Sequence, residues 1–84
     1  MYRLEQTKSF EKKLKKLSVK EQKAVRDKLK KLAVDPYHPS LRTKKVKGLK
    51  DMFECSVNMD IRIIWTYEGN RLILLLEIGH HDIL

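Results

Sequence analysis

The sequence has little of what usually braces or punctuates a small protein: one cysteine, two prolines and three glycines in 84 residues. A lone Cys55 rules out an internal disulfide framework and fits a reducing compartment. No apolar stretch is long enough to cross a bilayer, and Met1-Tyr2-Arg3-Leu4-Glu5 lacks the apolar run of a signal peptide. A cytoplasmic protein with no membrane partner is therefore expected. Glycine-rich phosphate loops, zinc-finger spacings, internal repeats and low-complexity linkers are missing too. What is left reads as one small domain, residues 1–84, with apolar residues enough for a single core.

Acidic residues are also scarce where it matters. Residues 1–50 hold 17 Lys/Arg against 5 Asp/Glu, a balance of +12, whereas residues 51–84 hold 2 against 6, a balance of −4. A field of that sign recruits a polyanion, an acidic protein or an anionic surface. Lysines on two helices account for much of it, and some serve only as a solvated face. A second basic group, Arg42, Lys44, Lys45, Lys47 and Lys50, lies outside any helical pattern.

Tyr2 and Leu4 alternate with charged residues, a short strand signal. Phe10, Leu14 and Leu17 recur at helical spacing, predicting a helix from about Lys8 to Leu17. Ser18-Val19-Lys20-Glu21 reads as a capping box opening a second helix, with Val25, Leu29 and Leu32 as its buried stripe. Asp35-Pro36 stops it, because the residue before proline is pushed out of the helical region. After a loop to Arg42, strands are predicted at residues 52–57, 61–67 and 72–78, with 44–47 a weaker fourth. Gly69-Asn70 signals a two-residue hairpin. The order predicts an α+β domain: an N-terminal strand and a helical hairpin packed on one face of an antiparallel sheet of four to five strands.

Pairing arithmetic then says which polar residues meet. A two-residue turn puts Glu68 opposite Arg71, Trp65 opposite Leu74 and Arg62 opposite Glu77. For Phe53, Cys55 and Val57 to share the core face with Ile61, Ile63 and Trp65, the preceding loop must be odd, most simply Asn58-Met59-Asp60. Ser56 then lies beside Arg62, and Glu54, Ser56, Arg62 and Glu77 share the face away from the helices. His81 has the parity of Glu77, and His80 the opposite one.

A guanidinium can fork a phosphate and stabilise charge on its oxygens, and an imidazole can move the proton of a 2′-hydroxyl or of a leaving 5′ oxygen. Arg62 and His81 together are thus the minimal equipment for metal-free RNA cleavage. The bland alternatives are a cross-strand ion pair of Arg62 with Glu77 and a surface histidine. Adjacent His80 and His81 point to opposite faces, so no metal site and no cofactor are expected. Cys55, Phe53 and Trp65 read as core.

The segments Asp35-Pro36-Tyr37-His38-Pro39-Ser40-Leu41-Arg42-Thr43-Lys44-Lys45-Val46-Lys47-Gly48-Leu49, Phe53-Glu54-Cys55-Ser56-Val57-Asn58-Met59-Asp60-Ile61-Arg62-Ile63-Ile64 and Leu75-Leu76-Glu77-Ile78-Gly79-His80-His81-Asp82 resemble, in this order, the RelE/ParE toxin superfamily. Within it they look most like the YafQ-like branch of RelE-type mRNA interferases. The resemblance implies a type II toxin–antitoxin toxin with the RelE-like fold that cleaves mRNA in the ribosomal A site without a metal. It implies Arg62 as the phosphate-binding arginine, His81 as the catalytic histidine, and Lys44 as a cation where such relatives often carry another histidine. Lys45, Lys47, Arg42, Asp60 and Ser56 are the implied substrate contacts. Relatives commonly have an aromatic residue shortly after the histidine-aspartate pair, where this sequence reads Ile83-Leu84. Implied partners are a cognate antitoxin, mRNA on the ribosome, and operator DNA only through the antitoxin complex. The fold also hosts ParE-type toxins, which act on DNA gyrase and need no nuclease site, and members that only bind their antitoxin.

Overall fold

The computed structural model describes residues 1–80. The elements run β1 (Arg3–Gln6), α1 (Lys8–Lys15), α2 (Val19–Val34), a short 3-10 turn at Pro39–Leu41, β2 (Lys44–Lys45), β3 (Phe53–Ser56), β4 (Ile61–Tyr67) and β5 (Leu72–His80). Each helix begins where a side chain supplies the acceptor that its first amides lack. Thr7 Oγ1 accepts from the Phe10 amide at 3.1 Å. Ser18 and Glu21 form the predicted capping box, with bonds of 3.1 and 2.9 Å. That bonding, chiefly from Ser18 and secondarily from His80, lowers the Glu21 pKa from its ordinary value of 4.5.

Five strands form one sheet in the order β1-β5-β4-β3-β2. The sheet is mixed and not wholly antiparallel, because β1 pairs with β5 in parallel, Arg3 to Leu72 through Gln6 to Leu75. Where β1 stops, α1 takes over as the neighbour of β5. The Thr7 amide donates to the Leu75 carbonyl at 3.0 Å and Thr7 Oγ1 donates to the Leu76 carbonyl at 3.0 Å. Lys13 Nζ and Ser9 Oγ then bind the Glu77 carboxylate at 2.6 and 2.9 Å.

One face of the sheet is covered by the helices. Phe10, Val25, Leu32 and Leu41 pack against Cys55, Ile61, Ile63, Trp65, Ile73 and Ile78, all essentially inaccessible. Phe53 stacks on Trp65 with ring centroids 4.7 Å apart, and Tyr67 meets both edge-on. Cys55 is core, as expected; burial pushes its thiol up to about 12, so it has no nucleophilic use near neutrality.

The central hairpin has the predicted register: Phe53 opposite Trp65, Cys55 opposite Ile63 and Ser56 opposite Arg62, with Asn58-Met59-Asp60 as the loop. Asn58 Oδ1 holds that loop by accepting from the Asp60 and Ile61 amides, both at 2.8 Å. The last hairpin differs from expectation. The Glu68 amide bonds to the Leu72 carbonyl, so the loop is Gly69-Asn70-Arg71, with Gly69 at φ +69°, and Tyr67 faces Ile73. An irregularity then falls between Ile64 and Trp65, where Leu75 and Glu77 are partners of adjacent residues and Leu76 is the extra one. The result is that Arg62 faces Gly79, and Glu77 faces Ile64. The expected Arg62–Glu77 pair does not exist.

Candidate functional site

The face away from the helices is where the sheet leaves polar chemistry accessible. Strand alternation puts Glu54, Ser56 and Arg62 there, each half-buried, and Lys44 arrives from β2 directly opposite Glu54. The Glu54 carboxylate lies 3.7 Å from Lys44 Nζ and 3.9 Å from Arg62 Nε. It holds two cations on one patch without neutralising both. Arg62 is anchored further by its Nη1, which donates to the Asn58 and Met59 carbonyls at 2.8 and 3.1 Å. Only 19% of its side chain is accessible. A guanidinium held this firmly has little conformational freedom left to lose on meeting an anion.

Arg62 also lines a cleft of about 270 Å³ beside the edge of β3, together with Lys28, Ser40, Arg42, Ser56 and Asn58. The cleft exists because β2 is only two residues long and covers β3 no further than Glu54. Three cations and no carboxylate line it. Arg42 closes the 3-10 turn with φ 51° and ψ 44°, a left-handed conformation more easily taken by glycine or asparagine.

Among the residues singled out from sequence, the structure brings Arg62, Lys44 and Ser56 together on one face, with Arg42 across the cleft. Lys45 is opposite Phe53, so it has the other parity from Lys44 and is exposed away from the patch. Lys47 is exposed on the β2–β3 connection, and Asp60 is exposed on the β3–β4 turn. His81 lies outside the described residues. His80 is on the helix-covered side opposite Ile61, with Nε2 3.3 Å from Glu21 Oε2. Glu77 is turned toward α1; the Lys13 ammonium and then the Ser9 hydroxyl lower its pKa from 4.5. Among the described residues no group of three or more His, Cys, Asp or Glu side chains could hold a metal.

Sequence reasoning missed Glu54 as the link between the cations, and Lys28 and Asn58 as cleft residues. Lys28 was legible in part: it is three residues after Val25 and four before Leu32, beside the buried stripe and not opposite it.

A two-helix layer on a mixed five-stranded sheet, with a cationic patch on the uncovered face, defines a RelE-like toxin domain of the RelE/ParE superfamily. Residues 4–84 match the family described as ParE toxin of type II toxin-antitoxin system, parDE, and the chain belongs to that family. Comparison with curated proteins finds no match. Among solved structures, a metal-bound toxin from Helicobacter pylori is 26% identical, with TM-score 0.78 over 100% of this chain and 99% of that one. The archaeal RelE–RelB complex from Pyrococcus horikoshii OT3 is 18% identical, with TM-score 0.81 over 99% and 98%. YafQ from E. coli strain BL21(DE3) is 14% identical, with TM-score 0.78 over 99% and 97%. The last two show the fold alone.

Proposed function

We propose that this type II toxin is a ribosome-dependent mRNA endonuclease of the YafQ-like branch, working in the cytoplasm without a metal. The observation that carries the reading is the pairing of Lys44 and Arg62 through Glu54 at the mouth of a cleft lined by further cations. Arg62 forks the scissile phosphate, and Lys44 stabilises the charge that develops on its oxygens. The 2′-hydroxyl of the preceding ribose attacks phosphorus as its proton leaves, and the 5′ oxygen departs as it gains a proton. The products are a 2′,3′-cyclic phosphate and a 5′-hydroxyl. His81 is the proposed proton carrier in that exchange, an imidazole being the side-chain type suited to proton transfer near neutrality. Ser56, beside Arg62, and Arg42, across the cleft, contact the substrate; Lys45, Lys47 and Asp60 serve as outer contacts with the mRNA or the ribosome.

A cognate antitoxin is the proposed protein partner, and operator DNA is reached only through that complex. Next to the cationic patch, Val46, Leu49, Met52, Ile64 and Leu76 line an apolar hollow of about 540 Å³, with Leu49 52% exposed. An antitoxin segment with apolar side chains for the hollow and carboxylates for the lysines would cover both.

The ParE description of the matched family favours a second reading, a DNA gyrase poison. Single-turnover cleavage of mRNA on programmed ribosomes separates the two. The wild type is expected to cut, His81→Ala to cut about a hundredfold or more slowly, and His80→Ala to stay near wild type. No cleavage by the wild type, together with supercoiling arrest by purified gyrase, would replace the nuclease with the poison.

A further inference from the structure

The geometry points to a second phosphate subsite in the edge cleft, built by Lys28, Arg42 and Asn58, which holds the backbone phosphate flanking the scissile one. The assignment rests on the nuclease reading, and it adds Lys28 of α2 to the substrate contacts. Three observations converge on it. The first is charge: Lys28, Arg42 and Arg62 line one cleft that contains no carboxylate, so their fields add.

The second is the state of Lys28. Its side chain is half-buried between α2 and the 3-10 turn, and its Nζ donates to the Ser40 carbonyl at 3.3 Å, the one hydrogen bond it makes among the described residues. An ammonium has three donors, so two are left at a site where the stem is already immobilised. Most other lysines of α1 and α2 are exposed on the helix surfaces, free to wander and expensive to order.

The third is the polar lining. Ser40 is positioned by His38, whose Nδ1 meets both the Ser40 amide at 3.1 Å and the Ser40 hydroxyl at 2.9 Å, so Ser40 serves the cleft by holding Lys28 through its carbonyl. Asn58 also lines the cleft, with its Oδ1 engaged by two loop amides and its NH₂ making no hydrogen bond among the described residues. Arg62 borders both the patch and the cleft. An RNA backbone crossing Arg62 therefore leaves one phosphate over the guanidinium and directs its neighbour toward Lys28 and Arg42, away from the Glu54 carboxylate.

The test has two arms, with Lys23→Met, an equal charge loss on the exposed face of α2, as control. In the first, inorganic phosphate is titrated into the purified full chain while amide resonances are followed by NMR. Saturable shifts are expected at Ser40, Arg42 and Asn58 in the wild type and in Lys23→Met, and their loss in Lys28→Met. Shifts spread along the α1 lysines, or none at all, overturn the subsite. In the second arm, programmed ribosomes carry mRNA with one neutral methylphosphonate flanking the scissile phosphate. The wild type should slow about tenfold on this substrate, and Lys28→Met should be equally slow on both substrates. Independent, multiplying losses would show that Lys28 does not meet that phosphate. If phosphate binds in the cleft but the wild type never cleaves, the nuclease reading falls and the anion site stands; normal cleavage with a silent titration gives the reverse.

Discussion

Arg62 is asked to do two things at once, and a substitution there has to be read in both. Its Nη1 donates to two carbonyls of the β3–β4 loop, while its Nε faces Glu54. Arg62→Ala should lose about 1.5–3 kcal/mol of stability, the usual scale for hydrogen bonds from a charged donor, and all measurable cleavage. Arg62→Lys should recover the charge but not the fork, leaving the loop partly unsatisfied and cleavage low. Urea denaturation read beside ribosomal cleavage separates the two roles. A fully active Arg62→Ala would remove Arg62 from the chemistry. The face occupied by Arg62 was legible because Phe53, Cys55 and Val57 are apolar at alternate positions with polar Glu54 and Ser56 between them. Its cross-strand partner was not legible. Leu72 to Leu76 is apolar on both faces, so sliding the register by one swaps one leucine for another and leaves no trace in the pattern. The extra residue at Leu76 then moved Glu77 from Arg62 to α1.

At the scale of elements, α1 is tied to β5 by two kinds of bond with different responses to pH. Thr7 both caps α1 and bonds the Leu76 carbonyl, so Thr7→Ala should cost about 1–2 kcal/mol at any pH, as the loss of a cap does. The Lys13–Glu77–Ser9 cluster depends on an ionised carboxylate. Because its folded pKa lies below the ordinary 4.5, Glu77 contributes fully above about that pH, and the contribution fades as pH falls through the lowered value. Glu77→Gln should therefore lower the melting temperature at pH 7 and converge with wild type at strongly acidic pH. Parallel melting curves at every pH would mean that the cluster is solvated and contributes nothing, as exposed pairs often do. The helices themselves were read correctly from Phe10, Leu14, Val25, Leu29 and Leu32 and from the Ser18–Glu21 box. The parallel partner of β1 was not, since four residues with one apolar side chain, Leu4, specify neither the neighbour of a strand nor its direction.

Over the whole molecule, charge is divided between broad helix faces and the confined patch around Arg62, and the two should respond differently to salt. Binding to ribosomes should weaken steeply with ionic strength, with a log–log slope of about −0.7 to −0.9 per phosphate neutralised. Replacing three exposed lysines, Lys8 and Lys12 of α1 and Lys16 at its C-cap, by glutamine should flatten that slope while leaving the single-turnover rate at saturation unchanged. Binding that is flat in salt would point instead to an apolar protein target.

The parallel pairing of β1 with β5 has a consequence for how the toxin comes into being. Among the described residues β1 has one neighbour in the sheet, β5, some seventy residues further along the chain. Until residues 72–80 emerge, both β1 and the adjoining edge of β4 stand open, and Ile63 and Trp65 lack the strand that encloses them. Closure of the sheet is thus a late event in synthesis. A partner that recognises the closed sheet therefore finds its surface only once β5 is in place between β1 and β4.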